Sequence, residues 1–239
     1  MSTNTSTTRP HIVALSGAGI SAESGIKTFR GSDGLWENHR IEDVATPEGW
    51  AANPERALDF YNARRRQLYT VEPNPAHRAL ARLEATHRVT VITQNIDNLH
   101  ERAGSSNVVH LHGELDVARS TADPSLLYPL NGKDIRLGDL CERGSQLRPH
   151  VVWFGEMVPE IERAANIVQT ADILIVVGTS LQVYPAAGLA EAAPPTAQKF
   201  LINPEIPGTV PREQFECIEA PAGAALPRLV ERLLSDTHL

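Results

Sequence analysis

His11-Ile-Val-Ala-Leu-Ser16, followed at once by Gly17-Ala18-Gly19, decides the fold. The run is apolar without period-two alternation, which predicts a strand buried on both faces, as in a parallel sheet. It stops at glycines. Glycine there lets backbone approach a phosphate, whose charge is favoured by the N-terminus of a following helix. The spacing departs from G-x-G-x-x-G, because the next glycine is Gly25. By itself the pattern fits a ligand-free strand-to-helix turn equally well.

Outward from this stretch the pattern repeats. Val89 to Thr93, Ile173 to Gly178 and Lys199 to Asn203 are further short strands rich in β-branched or apolar residues. Helical stretches lie between or after them, at Pro75 to Ala85, Val158 to Thr170, Pro185 to Ala193 and Leu226 to Leu234. This alternation predicts an α/β fold with a Rossmann-like, doubly wound parallel sheet. Two segments interrupt it. Residues 33–70 read as mostly helical, anchored by Trp36 and Trp50, and residues 115–147 read as irregular. Both are expected to form a smaller inserted lobe of one domain over 9–239, behind a loose polar tail at 1–8.

Composition narrows the function. The chain has 239 residues, 41% hydrophobic, enough for a substantial core. A net charge of -7 disfavours binding to nucleic-acid backbones, and Arg64-Arg65-Arg66 is too short a basic run to reverse that. No apolar run is long enough to span a bilayer, so no membrane partner is expected. Two cysteines, Cys141 and Cys217, and no basic-then-apolar leader fit a reducing, cytoplasmic setting.

The longer segment Gly17-Ala-Gly-Ile-Ser-Ala-Glu-Ser-Gly-Ile-Lys-Thr-Phe-Arg30 resembles the opening motif of the sirtuins. Gln94-Asn95-Ile96-Asp97, His112-Gly113-Glu114, Val151-Val-Trp-Phe-Gly-Glu156 and Gly178-Thr179-Ser180 follow in the family's order, with Asn203 closing the fourth strand. The resemblance runs from about His11 to the C-terminus. It implies an NAD site made by Gly17, Ala18, Gly19, Ile20, Phe29, Arg30 and Trp36 around the phosphates and ribose. Gln94, Asn95, Ile96 and Asp97 would surround the nicotinamide end. Gly178, Thr179, Ser180, Asn203, Pro204, Glu205 and Ala220 would line the adenosine side.

The resemblance further implies that His112 is the catalytic base, acting with Asn95 and Asp97. A histidine suits the role because it titrates near neutral pH. A structural histidine, or a metal pair with His110, are the other readings of that position. Val151 to Glu156, with Val152, Phe154, Gly155 and Glu156 as contacts, resembles the segment that pairs with an acylated peptide; an ordinary edge strand is the alternative. Tyr61 and Arg64, three apart on one helix face, resemble the pair that holds acidic acyl groups in the class III desuccinylases and demalonylases. A guanidinium and a phenol can hold a carboxylate, although an arginine run also fits a solvated face.

The family usually carries zinc on two Cys-x-x-Cys pairs. Here residues 119–123 contain no cysteine, and Cys141 is followed by Gly144 where its partner would stand. One thiolate cannot close a tetrahedral site, so no zinc is expected. Leu126, Leu127, Tyr128, Leu130, Ile135, Leu137 and Leu140 are the expected apolar core of the lobe instead. The implied activity is NAD-dependent deacylation of acetyl-lysine, and of succinyl- or malonyl-lysine, on proteins or peptides, releasing nicotinamide and O-acyl-ADP-ribose. A mono-ADP-ribosyltransferase or NAD hydrolase, or a non-catalytic NAD sensor, are alternatives on the same fold.

Overall fold

A computed structural model describes residues 9–27, 35–36, 39–181, 183–208 and 210–236. The expected tail at 1–8 and the expected contacts Phe29 and Arg30 lie outside the described residues.

The strands are β1 (His11–Ser16), β2 (Leu35–Trp36), β3 (His39–Arg40), β4 (Arg88–Thr93), β5 (Val108–His110), β6 (Gly113–Ser120), β7 (Leu127–Pro129), β8 (Leu147–Val151), β9 (Ile173–Val177), β10 (Gln198–Ile202) and β11 (Glu216–Ile218). The helices are α1 (Ile41–Val44), α2 (Pro47–Ala52), α3 (Pro54–Leu68), α4 (Pro75–Leu83), α5 (Leu99–Arg102), α6 (Ile161–Val168) and α7 (Ala222–Asp236). None is long and apolar enough to cross a membrane.

Six strands form one parallel sheet in the order β11-β10-β9-β1-β4-β5. All six residues of β1 are buried, as its unbroken apolar run requires. Ile12 and Ala14 face a core shared with α4 and α7. Val13 and Leu15 face a second core against α6 and a 3-10 helix at Ala186–Ala192, inside the stretch read as helical. The chain leaves β1 for β4 on one side and later returns to place β9 on the other. The crevice beyond the carboxyl ends of β1 and β9 is therefore the topological switch point of the sheet.

The smaller lobe differs in part from expectation. It opens with the β2–β3 hairpin, and helix begins only at α1. Thr46 caps α2 and Asn53 caps α3, each followed by proline at the first helical position. Residues 115–147 are irregular only in part. They carry most of β6, all of β7 and the first residue of β8, which form a three-stranded antiparallel sheet in the order β7-β6-β8. A register shift between Glu114 and Ala118 explains why alternation was hidden. Gly113 and Leu115 point inward before it, Ala118 and Ser120 after it, so the period-two pattern slips by one. The lobe's small core is Leu58, Ala118, Leu130 and Ile135, while Leu127, Leu137 and Leu140 are exposed.

Candidate active site

One cavity of about 430 Å³ occupies the switch point and extends to the smaller lobe. Gly17, Ala18 and Gly19 form its floor. An added Cβ would lie 2.7 Å from Thr179 Cβ at Gly17 and 2.7 Å from Gly178 Cα at Gly19. Gly178 itself has a φ of +64°, a left-handed conformation that suits glycine. Two bare turns, after β1 and β9, thus meet backbone to backbone, and the Gly19 N–H donates to the Gly178 carbonyl at 2.8 Å. This is a cradle for a phosphate-bearing ligand, and it fits the dinucleotide that the motif implies.

Behind the cradle is a hub that sequence reasoning did not assign. Ser21 Oγ donates to Asp97 Oδ2 at 2.9 Å and accepts from Asn95 Nδ2 at 3.1 Å. His77 Nδ1 accepts the Asn74 N–H, which leaves its Nε2–H toward Ser21 Oγ at 3.4 Å. Burial holds His77 neutral, pulled down to about 4, and raises the Asp97 carboxyl. Ser21 stood inside the opening motif and His77 at a helix start, but their meeting joins segments 56 residues apart.

His112 follows β5 and lines the cavity beside Gln94, Asn95, Ile96 and Asp97. Its Nδ1 meets the Gln94 carbonyl at 2.9 Å, so Nδ1 carries the proton and Nε2 is left bare. Burial lowers its pKa, against the smaller raising effect of that carbonyl. His110 points elsewhere, with Nδ1 on the Asn95 carbonyl at 3.2 Å and Nε2 on Glu101 at 2.7 Å, where it takes no part in a metal pair with His112.

Thr179, Ser180, Asn203 and Pro204, expected on the adenosine side, line the cavity, and Trp36 lines it too. Ile20 is buried beneath the turn, and Glu205 is outside the wall, with its carbonyl accepting from Asn203. Ala220 is also outside; it borders a shallow hollow against α7, and Pro221 and Ala222 line the cavity in its place. Glu23, from the glycine turn, accepts the Gly223 N–H at 2.6 Å and ties the first turn of α7 to the cradle.

In the smaller lobe, Tyr61 is fully buried and lines the cavity. Arg64 is close enough to lower the Tyr61 pKa electrostatically but is not part of the wall. Its Nη1 donates back to the Phe60 carbonyl at 3.0 Å, and its guanidinium sits 4.2 Å from the Phe60 ring centre. The arginine run is not one solvated face: Arg65 is buried, with Nε on the Leu115 carbonyl and Nη1 on Asn62. Strand β8 ends at Val151, so residues 152–156 are no edge strand. Val152 N–H donates to the His112 carbonyl, Phe154 N–H to the Ala45 carbonyl, and Gly155 takes a φ of +89°. Val152, Phe154, Gly155 and Glu156 all line the cavity, but the Glu156 carboxylate turns inward onto Arg148.

At the ribbon tip, Ser120 and Asp123 meet the turn that carries Cys141 and Arg143. Ser120 Oγ accepts the N–H groups of Ala122 and Asp123. Its hydroxyl hydrogen-bonds Cys141 and, as the largest cause, lowers the thiol's pKa. Asp123 Oδ2 pairs with Arg143 Nη1 at 2.8 Å. One thiol, one hydroxyl and an already paired carboxylate do not fit a tetrahedral zinc site, and no metal-holding group of three or more His, Cys, Asp or Glu occurs among the described residues.

Residues 17–185 match the model of the Sir2 family. The chain is 54% identical over 224 residues to an NAD-dependent protein deacylase of Helicobacter pylori strain 26695, covering 94% of this chain and 97% of the relative. It is similar to the structure of a Sir2 homologue complexed with NAD, at 41% identity and a TM-score of 0.85, covering 95% of this chain and 91% of the other. A serine-to-alanine variant of a Sir2 homologue bound to ADP-ribose superposes with a TM-score of 0.87 at 40% identity, over 97% of this chain and 94% of the other.

Proposed function

The chain belongs to the Sir2 family, and we propose that it acts as an NAD-dependent protein-lysine deacylase that removes acetyl, succinyl and malonyl groups. The observation that carries this reading is the meeting of His112, Asn95 and Asp97 with Tyr61 along one cavity floored by Gly17 and Gly19. NAD, when bound there, would supply a ribose carbon that becomes electrophilic as nicotinamide departs, and would leave as O-acyl-ADP-ribose.

The protein's own part is orientation and proton handling. The bare His112 Nε2 accepts a proton from a ribose hydroxyl, and the Gln94 carbonyl fixes that tautomer. The Ser21 hub holds Asn95 and Asp97 in place. Val152, Phe154 and Gly155 border the acyl-lysine peptide. Tyr61 offers a phenol to the tail of an acidic acyl group, and a carboxylate there draws Arg64 off Phe60 into a charge-assisted pair. The same reading includes a lobe that folds without zinc and a protein that works in the cytoplasm, away from membrane and nucleic acid.

The test is deacylation of one peptide bearing acetyl-lysine or succinyl-lysine, with products identified by mass spectrometry, for the wild type and Arg64→Met. The expected result is O-acyl-ADP-ribose from both peptides and a sharp fall in the succinyl-to-acetyl kcat/KM ratio in the variant. Turnover of acetyl-lysine alone removes the acidic-acyl reading. Free ADP-ribose or labelled protein without deacylation replaces the whole reading with NAD hydrolysis or ADP-ribosyl transfer.

A further inference from the structure

The wall that carries Tyr61 is held from behind by a chain of polar contacts. Arg148, on β8, donates to Glu156 from Nη1 at 2.7 Å and from Nη2 at 3.1 Å. Arg119, on β6, reaches the same carboxylate at 3.2 Å. Glu156 in turn accepts the Trp153 backbone N–H at 2.8 Å, which closes the turn. The Arg148 guanidinium lies 3.2 Å from the Trp153 ring centre, and Trp50 packs on the ring at 5.6 Å. The indole is therefore fixed, with only 2% of the residue exposed. Its Nε1–H donates to Tyr61 Oη at 3.0 Å.

A phenol has one hydrogen to give. By accepting from Trp153, the Tyr61 oxygen commits its protein side to the role of acceptor. Among the described residues no acceptor takes the Tyr61 hydrogen, and Tyr61 borders the cavity. Burial raises the phenol's pKa, so the hydrogen stays in place at neutral pH. We infer that Trp153 is a positioning residue for acyl selectivity: its indole N–H turns the Tyr61 O–H toward the cavity, where it meets an acidic acyl tail, and the Arg148–Glu156 ion pair holds the indole on station. The inference rests on the reading of Tyr61 as an acyl contact. It couples the turn that borders the peptide to the pocket that selects the acyl group.

The test is a double-mutant cycle on the succinyl-to-acetyl kcat/KM ratio, using one peptide in two acylated forms. Tyr61→Phe should lower the ratio about tenfold, as expected for a lost hydrogen bond to a charged group, and Trp153→Phe about threefold. Both falls should appear in the KM of the succinyl peptide. The double variant should be no worse than Tyr61→Phe alone, because the indole has no phenol left to orient. If Trp153→Phe lowers both substrates equally, or the two effects add, the inference is overturned while the pocket reading stands. If Tyr61→Phe leaves the ratio unchanged, the pocket reading fails and takes the inference with it. Should Trp153→Phe not fold, the indole N–H resonance of Trp153 decides. In Tyr61→Phe it should move upfield on losing its acceptor; an unmoved resonance overturns the inference.

Discussion

The glycine cradle and the ribbon tip are both turns at strand ends, yet they tolerate change very differently. The cradle rests on a sheet with a core on each face, and Gly17, Gly19 and Gly178 leave no room for one extra carbon. The tip stands on a core of only four buried residues, and a Cβ added at Gly138 or Gly144 meets nothing within 4 Å. Close packing fixes the first against substitution. In the second, the Ser120 hydroxyl and the Asp123–Arg143 ion pair hold an open turn with room to spare.

The largest break in this contrast should come from His112→Ala, which is expected to lower kcat for deacylation by roughly 10² to 10⁴, the usual worth of a general base. Circular dichroism should show the fold intact. Gly178→Ala comes next: a Cβ there lies 2.3 Å from the Ile20 nitrogen at a φ of +64°. It should raise the KM for NAD and cost several kcal/mol, on the order of 3, in denaturant unfolding. Third is acid sensitivity. His77 falls from 6.5 to about 4 on folding because burial penalises its charged form. Its stabilisation is full above the unfolded value of about 6.5 and is lost as pH falls through the folded value. Thermal melts should drop across this window by an equivalent of on the order of 3 kcal/mol, and His77→Gln should flatten that part of the curve. The smallest effects belong to the tip. Ser120→Ala should cost about 1 kcal/mol through the lost turn bonds, and a chelator should leave Tm unchanged. A chelator that melts the ribbon would reverse the comparison.

The sheet was readable because unbroken apolar runs end abruptly at glycine or at polar residues, and those ends became the cavity. The ribbon was not, because one bulge moves Ala118 and Ser120 out of phase with Gly113 and Leu115. Residue-by-residue reading placed His112, Asn95, Asp97 and Tyr61 at the cavity. Ala220 stands just outside the cavity wall, with Pro221 and Ala222 in it, and nothing local tells that Arg119 and Arg148 will pull the Glu156 carboxylate inward. The Ser21–His77 contact was invisible for the same reason: it exists only after two distant segments meet.

The bond from Glu23 to Gly223 spans 200 residues of chain and sets an order of events during synthesis. At the usual pace of translation the cradle emerges roughly 10 to 40 s before the residue that latches it. β1 leaves the ribosome similarly early, and its β9 edge has no partner until residues 173–177 appear. For that interval a strand that ends up wholly buried is an open edge, a template on which another chain could pair.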